Sequence, residues 1–493
     1  MRTQQHEGAA HGSSGAFGGV PADDDRARPD DAADERGTPD VREGTADAAA
    51  VPARPAGLGR RFTALLSSTA LANLGDGVVQ TGAPLIAITL TRSPAQVSLL
   101  AAAAWLPWLL LGIAGGLLVD RVDRRHAQMT ALLARAVLLT GGAVTAATGH
   151  LTMPVLVGLV LLYGTTAVVA ELGEAAIVPD LVKRDRLAAA NGRVLATQQV
   201  ANSFFGMPVA GFLVTLGSGY VFGIPAALGV GAALFLLVGV RGRYRHASSA
   251  DGQRRNAYAE VREGLAFLLR HPVMRPMLIA GSVFNMGSTA YTAVLVLWMV
   301  GPGSRMGLQP EHFTLLVTLM GVGAVLGSIV AERLIHRVGE VRMLVVTFLA
   351  DALLLLVPLL APSPAPVAAA LLVMGATGNV GNVITQSVRQ RMTPKHMLGR
   401  ITGASRTVSF GLMPLGAILG GAIGQAFGLP AALLGGTVLC VLAFAVIALT
   451  VRQREVDAHE LPDEDDVDAV GDVDAAHDAD EADEADLSPA AGA

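Results

Sequence analysis

Asn73, Asp76 and Gln80 lie three and four residues apart inside an apolar stretch, a spacing that puts all three on one face of a helix. A carboxylate surrounded by hydrocarbon is costly to keep charged, so Asp76 must either exchange a proton or sit against a permanent cation or hydrogen-bond donors. The first arrangement makes it a proton-coupling group and the second a structural pair. Asp351, in Ala350-Asp351-Ala352, faces the same choice, and Ala134-Arg135-Ala136 repeats its setting with the opposite charge. Arg135 and Arg406 are available as counter-ions or as contacts for an anionic ligand. The amides Gln198, Gln199, Asn202, Asn285, Asn379, Asn382 and Gln386 suit hydrogen bonds to a ligand, or between helices, equally well. Trp105, Trp108, Tyr163 and Phe284 suit the wall of a cavity for bulky amphipathic cargo, although lipid-facing aromatics give the same pattern. Trp298, near the end of a run, fits an interfacial anchor.

These residues need a scaffold in which polar groups are rare. The chain has 493 residues, of which 52% are hydrophobic and 16% charged, with a mean hydropathy of +0.50. That composition excludes an ordinary soluble globular protein and makes the bilayer the solvent. From Phe62 onward, apolar runs of about 20 residues, the length that spans a bilayer, occupy approximately 62–90, 96–119, 127–148, 152–177, 195–216, 220–240, 276–300, 313–332, 342–361, 366–388, 401–425 and 429–451. The expected fold is therefore all-α, with twelve transmembrane helices. The single cysteine, Cys440, lies in the last run, so an intramolecular disulfide is impossible. No charged leader with a short apolar core and cleavage site opens the chain, so the first membrane helix is expected to act as the insertion signal.

Charge along the chain tests that count. Loops after the even runs hold Arg121, Arg124 and Arg125, then Lys183, Arg184 and Arg186, then the stretch from Arg241 to Arg275, then Arg333, Arg337 and Arg342, and finally Arg389, Arg391 and Lys395. Loops after the odd runs carry only Arg92 and Arg305. By the positive-inside rule the basic loops and both termini face the cytoplasm, and a missed helix would have broken the alternation. Lys183 and Lys395 are the only lysines, a bias expected of a GC-rich bacterial genome, which makes the inner membrane the expected location. Residues 1–50 hold 11 acids and 5 bases, and residues 452–493 hold 16 acids and 2 bases, which leaves 14 acids and 29 bases for 51–451. Segments 1–57 and 452–493 are too polar to bury a core and are expected to be disordered cytoplasmic tails. Between the six-helix halves, 58–240 and 276–451, the linker 241–275 places Val261, Leu265, Leu268 and Leu269 at helical spacing. It is expected to form an amphipathic helix, lying along the membrane interface or simply solvated.

The two halves repeat one another. Gly115-Gly116-Leu117-Leu118-Val119-Asp120-Arg121 returns 212 positions later as Gly327-Ser328-Ile329-Val330-Ala331-Glu332-Arg333, with Arg337 in the place of Arg125. Phe205-Gly206-Met207-Pro208, followed by Gly211, is echoed by Phe410-Gly411-Leu412-Met413-Pro414, followed by Gly416. Gly116, Asp120, Arg121, Arg124 and Arg125 resemble the loop 2-3 signature of the major facilitator superfamily. Gly206, Pro208 and Gly211 resemble the Gly/Pro motif on helix 5 of its exporters. Leu74-Gly75-Asp76-Gly77, Pro179-Asp180-Leu181-Val182, Arg184-Asp185-Arg186-Leu187 and Ala190-Asn191-Gly192 resemble its enterobactin-exporter and macrolide-efflux branch. The resemblance covers about 60–450 and implies two pseudo-symmetric six-helix halves that rock about a midplane site. Asp123 departs from it, standing where the generic signature has Gly.

Within that frame the Gly115–Arg125 stretch is expected to be an inner gate. Asp120 would cap the start of helix 11, the partner the resemblance implies, and Arg121, Arg124 and Arg125 would pair with Glu171, Glu174 or Asp180. Glu332 and Arg333 would do the same in the second half. A basic loop that merely fixes topology is the plainer alternative. The expected function is secondary-active efflux of a small amphipathic drug-like molecule, secreted metabolite or siderophore, by proton antiport and alternating access. The expected energy source is the proton gradient, with no cofactor, and the chain is expected to be a monomer. Lipid or metabolite transport on the same fold, and a non-transporting sensor or scaffold working through the tails, are the alternatives. Direct ATP coupling is disfavoured because no phosphate-cradling Gly-Lys-Ser/Thr loop is present. The absence of His-Glu-x-x-His or clustered Cys/His ligands disfavours metal chemistry. Nothing points to an enzyme or to nucleic-acid binding.

Overall fold

The computed structural model describes residues 58–121, 123–183, 186–240, 242, 257–394 and 397–460, without the side chains of 112–121 and 257–258. The described chain is helical nearly throughout. Its long helices are α1 (Arg60–Leu90), α2 (Pro94–Arg121), α3 (Arg124–Ala147), α4 (Met153–Leu181), α5 (Leu187–Leu216) and α6 (Ser218–Gly239). A shorter α7 (Ala257–Arg270) follows, and then α8 (Met274–Met299), α9 (Pro310–Val338), α10 (Glu340–Leu360), α11 (Pro364–Arg391), α12 (Leu398–Phe427), α13 (Leu429–Thr450) and the short α14 (Gln453–Ala458). Among the described residues eleven helices are long and apolar enough to cross a membrane. Helix α1, 31 residues long, is less apolar because it carries Asn73, Asp76 and Gln80. It packs along α6 and α5 within the bundle and completes the twelve.

Several helices outrun their apolar sequence at the end that carries the basic loops: α4 continues to Leu181, α9 to Val338 and α11 to Arg391. The hydrophobic thickness of a bilayer limits the apolar run, but backbone hydrogen bonding does not stop there, and long basic side chains carry the helix into the headgroup layer. The link between α2 and α3 is correspondingly short. Asp123 sits at the N-cap of α3 and its side chain accepts from the His126 amide at 3.2 Å. An N-cap preference for Asp explains the departure from the Gly of the signature.

The halves are built alike. In the first, α1 packs on α6, α2 on α4, and α3 on both α4 and α6; in the second, α8 packs on α13, α9 on α11, and α10 on both α11 and α13. Between the halves, α2 meets α12 and α5 meets α9. Away from the basic loops a single core runs through both halves and includes Val79, Phe222, Tyr291 and Leu433. Near the basic loops the core is divided, with Phe62, Leu132, Ile177 and Leu236 in one half and Leu268, Leu344, Ile384 and Ile447 in the other. Among the described residues the buried core thus joins the halves at one end and is divided at the other.

Two sequence expectations change. Helix α7 is not simply solvated: Val261, Leu265 and Leu268 pack into the second-half core, Arg262, Leu269 and Arg270 stay exposed, and Glu263 pairs with Arg400 of α12 at 2.8 Å. The C-terminal tail begins later than 452, because α14 docks through Val456, which is 1% exposed. Gln453 accepts from the Val341 amide at 3.2 Å and Glu460 pairs with Arg391 at 2.6 Å. One apolar anchor and two polar contacts hold this segment, whereas composition alone showed only its acidity. Residues 1–57 and 461–493, for which disorder is expected, lie outside the described residues.

Candidate functional site: two polar half-cavities and an aromatic wall

The polar stripe of α1 opens onto a cavity of about 180 Å³ within the first half, lined also by α3, α4 and α5. Asp76 accepts from Arg135 Nη1 at 2.5 Å and from the Tyr163 hydroxyl, and the guanidinium lies 4.8 Å from the Tyr163 ring centroid. Of the two arrangements open to Asp76, the geometry found is the paired one. Tyr163 links three helices through this contact; its aromatic character was legible in the sequence, its partner was not. Glu174 faces the same cavity, with one carboxylate oxygen accepting from Thr69 and the other from Gln198 Nε2 at 3.4 Å. Glu171 lines it as well and interacts electrostatically with Arg406 of the other half. Arg135 Nε and Gln128 Oε1 are buried there without a protein partner.

The second half holds a cavity of about 410 Å³ lined by Asn285, Asp351, Thr377, Asn382, Gln386, Arg389 and Arg406. Asp351 accepts from the Thr377 hydroxyl, and Asn285 donates to the Ser409 carbonyl at 3.4 Å. Arg135 is the eleventh residue beyond Arg124 at the start of α3, and Asp351 the eleventh beyond Glu340 at the start of α10, so the two occupy matching places with opposite charge. A third cavity, about 350 Å³ and mainly apolar, lies between the halves and is lined by Trp105, Trp108, Tyr163, Thr289 and Val296. Gln80 lines both this space and the first-half polar cavity. Phe410 of α12 packs against both Trp105 and Trp108 of α2, at ring-centroid distances of 5.9 and 6.2 Å.

Other expected residues fall elsewhere. Asn379 donates to Ser328 Oγ at 2.7 Å and ties α11 to α9. The carbonyl of Asn202 accepts from the Met207 amide across a π-helical turn, Val200–Gly206. Pro208, which has no amide to donate, follows that turn, and Gly206 lets α5 lie against Gly77 of α1. Gly211 faces the second half instead, where an added Cβ would lie 2.2 Å from Thr314 Oγ1. Trp298 donates to the Pro358 carbonyl at 3.0 Å and so ties α8 to α10.

The expected gate contacts are redistributed. Arg124 pairs with Asp180 at 3.2 Å. Arg125 does not reach the acids of α4; it donates to the Leu236 and Leu237 carbonyls at 3.3 and 2.9 Å, satisfying the exposed end of α6. Glu171 and Glu174 turn into the half-cavity, because about two and a half and somewhat under two helical turns, respectively, separate them from Asp180 and carry them below the surface. Glu332 and Arg333 are exposed on α9. The second-half counterpart of Arg124–Asp180 is the pair Glu340–Arg391, with the charges exchanged. The side chains of Gly116, Asp120 and Arg121 lie outside the described residues.

Two repeated six-helix bundles, each holding a polar cavity and sharing an aromatic-lined cavity at their common boundary, define a membrane transporter of the major facilitator type. Residues 58–477 match the family described as transmembrane secretion effector, and the chain belongs to that family. It is 24% identical to the multidrug efflux pump Tap of Mycolicibacterium fortuitum over 81% of this chain and 97% of Tap. It is 25% identical to the enterobactin exporter EntS of Salmonella typhi over 74% of this chain and 85% of EntS. Among solved structures, the nucleoside transporter NupG superposes with a TM-score of 0.61 at 13% identity, covering 80% of this chain and all of NupG. A bacterial homologue of the iron transporter ferroportin in its inward-facing state gives 0.61 at 15% identity, covering 80% of this chain and 99% of the homologue.

Proposed function

We propose that this transporter is a proton-driven exporter of small amphipathic molecules in the bacterial inner membrane, working as a single chain by alternating access. The observation that carries the reading is the pair of polar half-cavities, each with a buried carboxylate, flanking an aromatic-lined cavity on the boundary between the halves. Cargo of drug-like or siderophore-like character would place its apolar body against Trp105, Trp108 and Phe410 and its polar groups toward Asn285, Asn382, Gln386 and Arg406. The efflux pump Tap and the exporter EntS support outward movement. With the basic loops on the cytoplasmic side, the end at which the core is divided faces the cytoplasm, the side from which an exporter loads.

Protons entering down their gradient would neutralise one carboxylate in each half-cavity, Asp351 in the second half and an acid of the cluster Asp76, Glu171 and Glu174 in the first, and so change which state of the boundary is favoured. Inside-out vesicles with an imposed pH gradient test this, with ethidium and a catechol siderophore as probes. Wild-type protein should accumulate at least one of them in a gradient-dependent manner, and Asp351→Asn and Asp76→Asn should each abolish the gradient dependence. Normal accumulation by both variants would remove these carboxylates from coupling. A wild type indifferent to the gradient would remove proton antiport.

A further inference from the structure

We infer that Glu174 is the proton-carrying group of the first half-cavity, while Asp76 serves to hold Arg135 in place. The inference rests on the antiport reading above and assigns the role to a particular atom set within it. Glu174 is 7% exposed, on the part of membrane-spanning α4 nearer the basic-loop end, and no cation among the described residues contacts it. Its two oxygens meet Thr69 of α1 and Gln198 of α5. Both partners are ambivalent. A threonine hydroxyl donates to a carboxylate or accepts from a carboxylic acid by rotating, and a glutamine amide presents either its NH₂ or its carbonyl. Glu174 can therefore gain or lose a proton without breaking an ion pair or leaving a partner unsatisfied.

Asp76 has no such freedom. Arg135 only donates, it is buried, and Asp76 is the acid it is paired with. Protonating Asp76 would strand a buried guanidinium. The charged and titratable groups around Glu174 are few. Helix α1 contributes Asp76, α3 contributes Arg135, α4 itself contributes Tyr163 and Glu171, and α5 contributes the uncharged Gln198. Arg406 enters from α12 through Glu171. Of these, Asp76 and Arg135 offset each other, and Arg406 acts on Glu171, which leaves Glu174 the carboxylate without an assigned counter-charge.

The proton step is a simple transfer: a proton arriving through the cavity binds one carboxylate oxygen of Glu174, which becomes neutral, and Thr69 or Gln198 reverses its hydrogen-bond sense. Loss of the proton on the other side restores both. Because the two partners belong to α1 and α5, the change is felt by helices that pack on each other at Gly77 and Gly206, and α5 is one of the helices at the inter-half contact.

Infrared difference spectra of the full-length protein in liposomes, taken between mildly acidic and mildly alkaline buffer, report protonated carboxyl groups directly and need no cargo. Wild type should show a carboxylic-acid band with a component that Glu174→Gln removes. The double variant Asp76→Asn/Arg135→Gln, which deletes the ion pair without stranding a charge, should keep that component. A band unchanged by Glu174→Gln, or a component lost in the double variant but kept in Glu174→Gln, overturns the assignment. Gradient-driven ethidium or siderophore accumulation, measured on the same preparations, separates the two levels. Loss of gradient dependence in wild type refutes antiport, whereas gradient dependence kept by Glu174→Gln refutes only Glu174.

Discussion

Gly211→Val should shift the equilibrium between the two faces of the transporter without unfolding it. Gly211 of α5 packs on α9 across the boundary between halves, where an added Cβ would lie 2.2 Å from Thr314 Oγ1 and 2.8 Å from Glu311 Cα. Ordinary contact begins near 3.4 Å. The hydroxyl can rotate away, but the backbone of α9 cannot, so the helices must separate by roughly half an ångström or more. Overpacking of this kind costs about 1–3 kcal/mol, and each ~1.4 kcal/mol is tenfold in an equilibrium constant. Since the contact exists only while this end is closed, the open-to-closed equilibrium constant should rise about 5- to 140-fold. Ser98 of α2 offers a reporter: it is 1% exposed and lies against Gly421 of α12 at the same closed end. In a Cys440→Ala background, Ser98→Cys should react with a maleimide applied from that side at a rate raised by the same factor in Gly211→Val. Gly287→Val, which crowds α8 against Gly436 of α13 inside one half, should lower thermal stability and leave labelling of the folded protein unchanged. An unaltered Ser98→Cys labelling rate in a stable Gly211→Val protein would refute the two-state account of this boundary.

Two further expectations concern charge. Asp76→Asn strands the buried Arg135, and breaking a buried pair from one side costs about 3–5 kcal/mol. Thermal unfolding in detergent should therefore shift clearly downward, with most of the loss recovered by adding Arg135→Gln; equal instability of the single and double variants would show that the pair is not what Asp76 stabilises. At the basic-loop end, His271 lies between α7 and α8 with its ring 5.2 Å from that of His459, and burial, then the neighbouring histidine, lowers its proton affinity. A histidine whose folded pKa is depressed takes up protons more readily when its contacts are lost, so the docked state is favoured at neutral pH and loses stability as pH falls through about 6.5. Protection of the Val456 and Asp457 amides against hydrogen exchange, taken relative to the intrinsic rate at each pH, should fall over that interval in wild type and lose this dependence in His271→Gln.

The sequence by itself determined the number and order of the long helices, their alternation of loop charge and the duplication. Each follows from local chemistry: bilayer thickness sets the apolar run length, arginine resists translocation, and a repeated Gly-x-x-x-x-Asp/Glu-Arg stretch survives in both halves. It also marked every carboxylate that matters, because an acid in an apolar run is conspicuous wherever it ends up. What it did not determine was the pairing. Glu171 and Glu174 sit near loop arginines in sequence, yet rotation along α4 turns them into the cavity, while Asp180 remains at the surface to meet Arg124. Tyr163, Thr69 and Thr377 look unremarkable until helix packing brings each to a carboxylate. Asp76 and Glu174 are both acids among apolar neighbours, and only the arrival of Arg135 from α3 beside one and Gln198 from α5 beside the other gives them different surroundings. Helix periodicity is local and can be read from the chain; which faces meet depends on how twelve helices pack together, and that packing decided the partner of every buried charge.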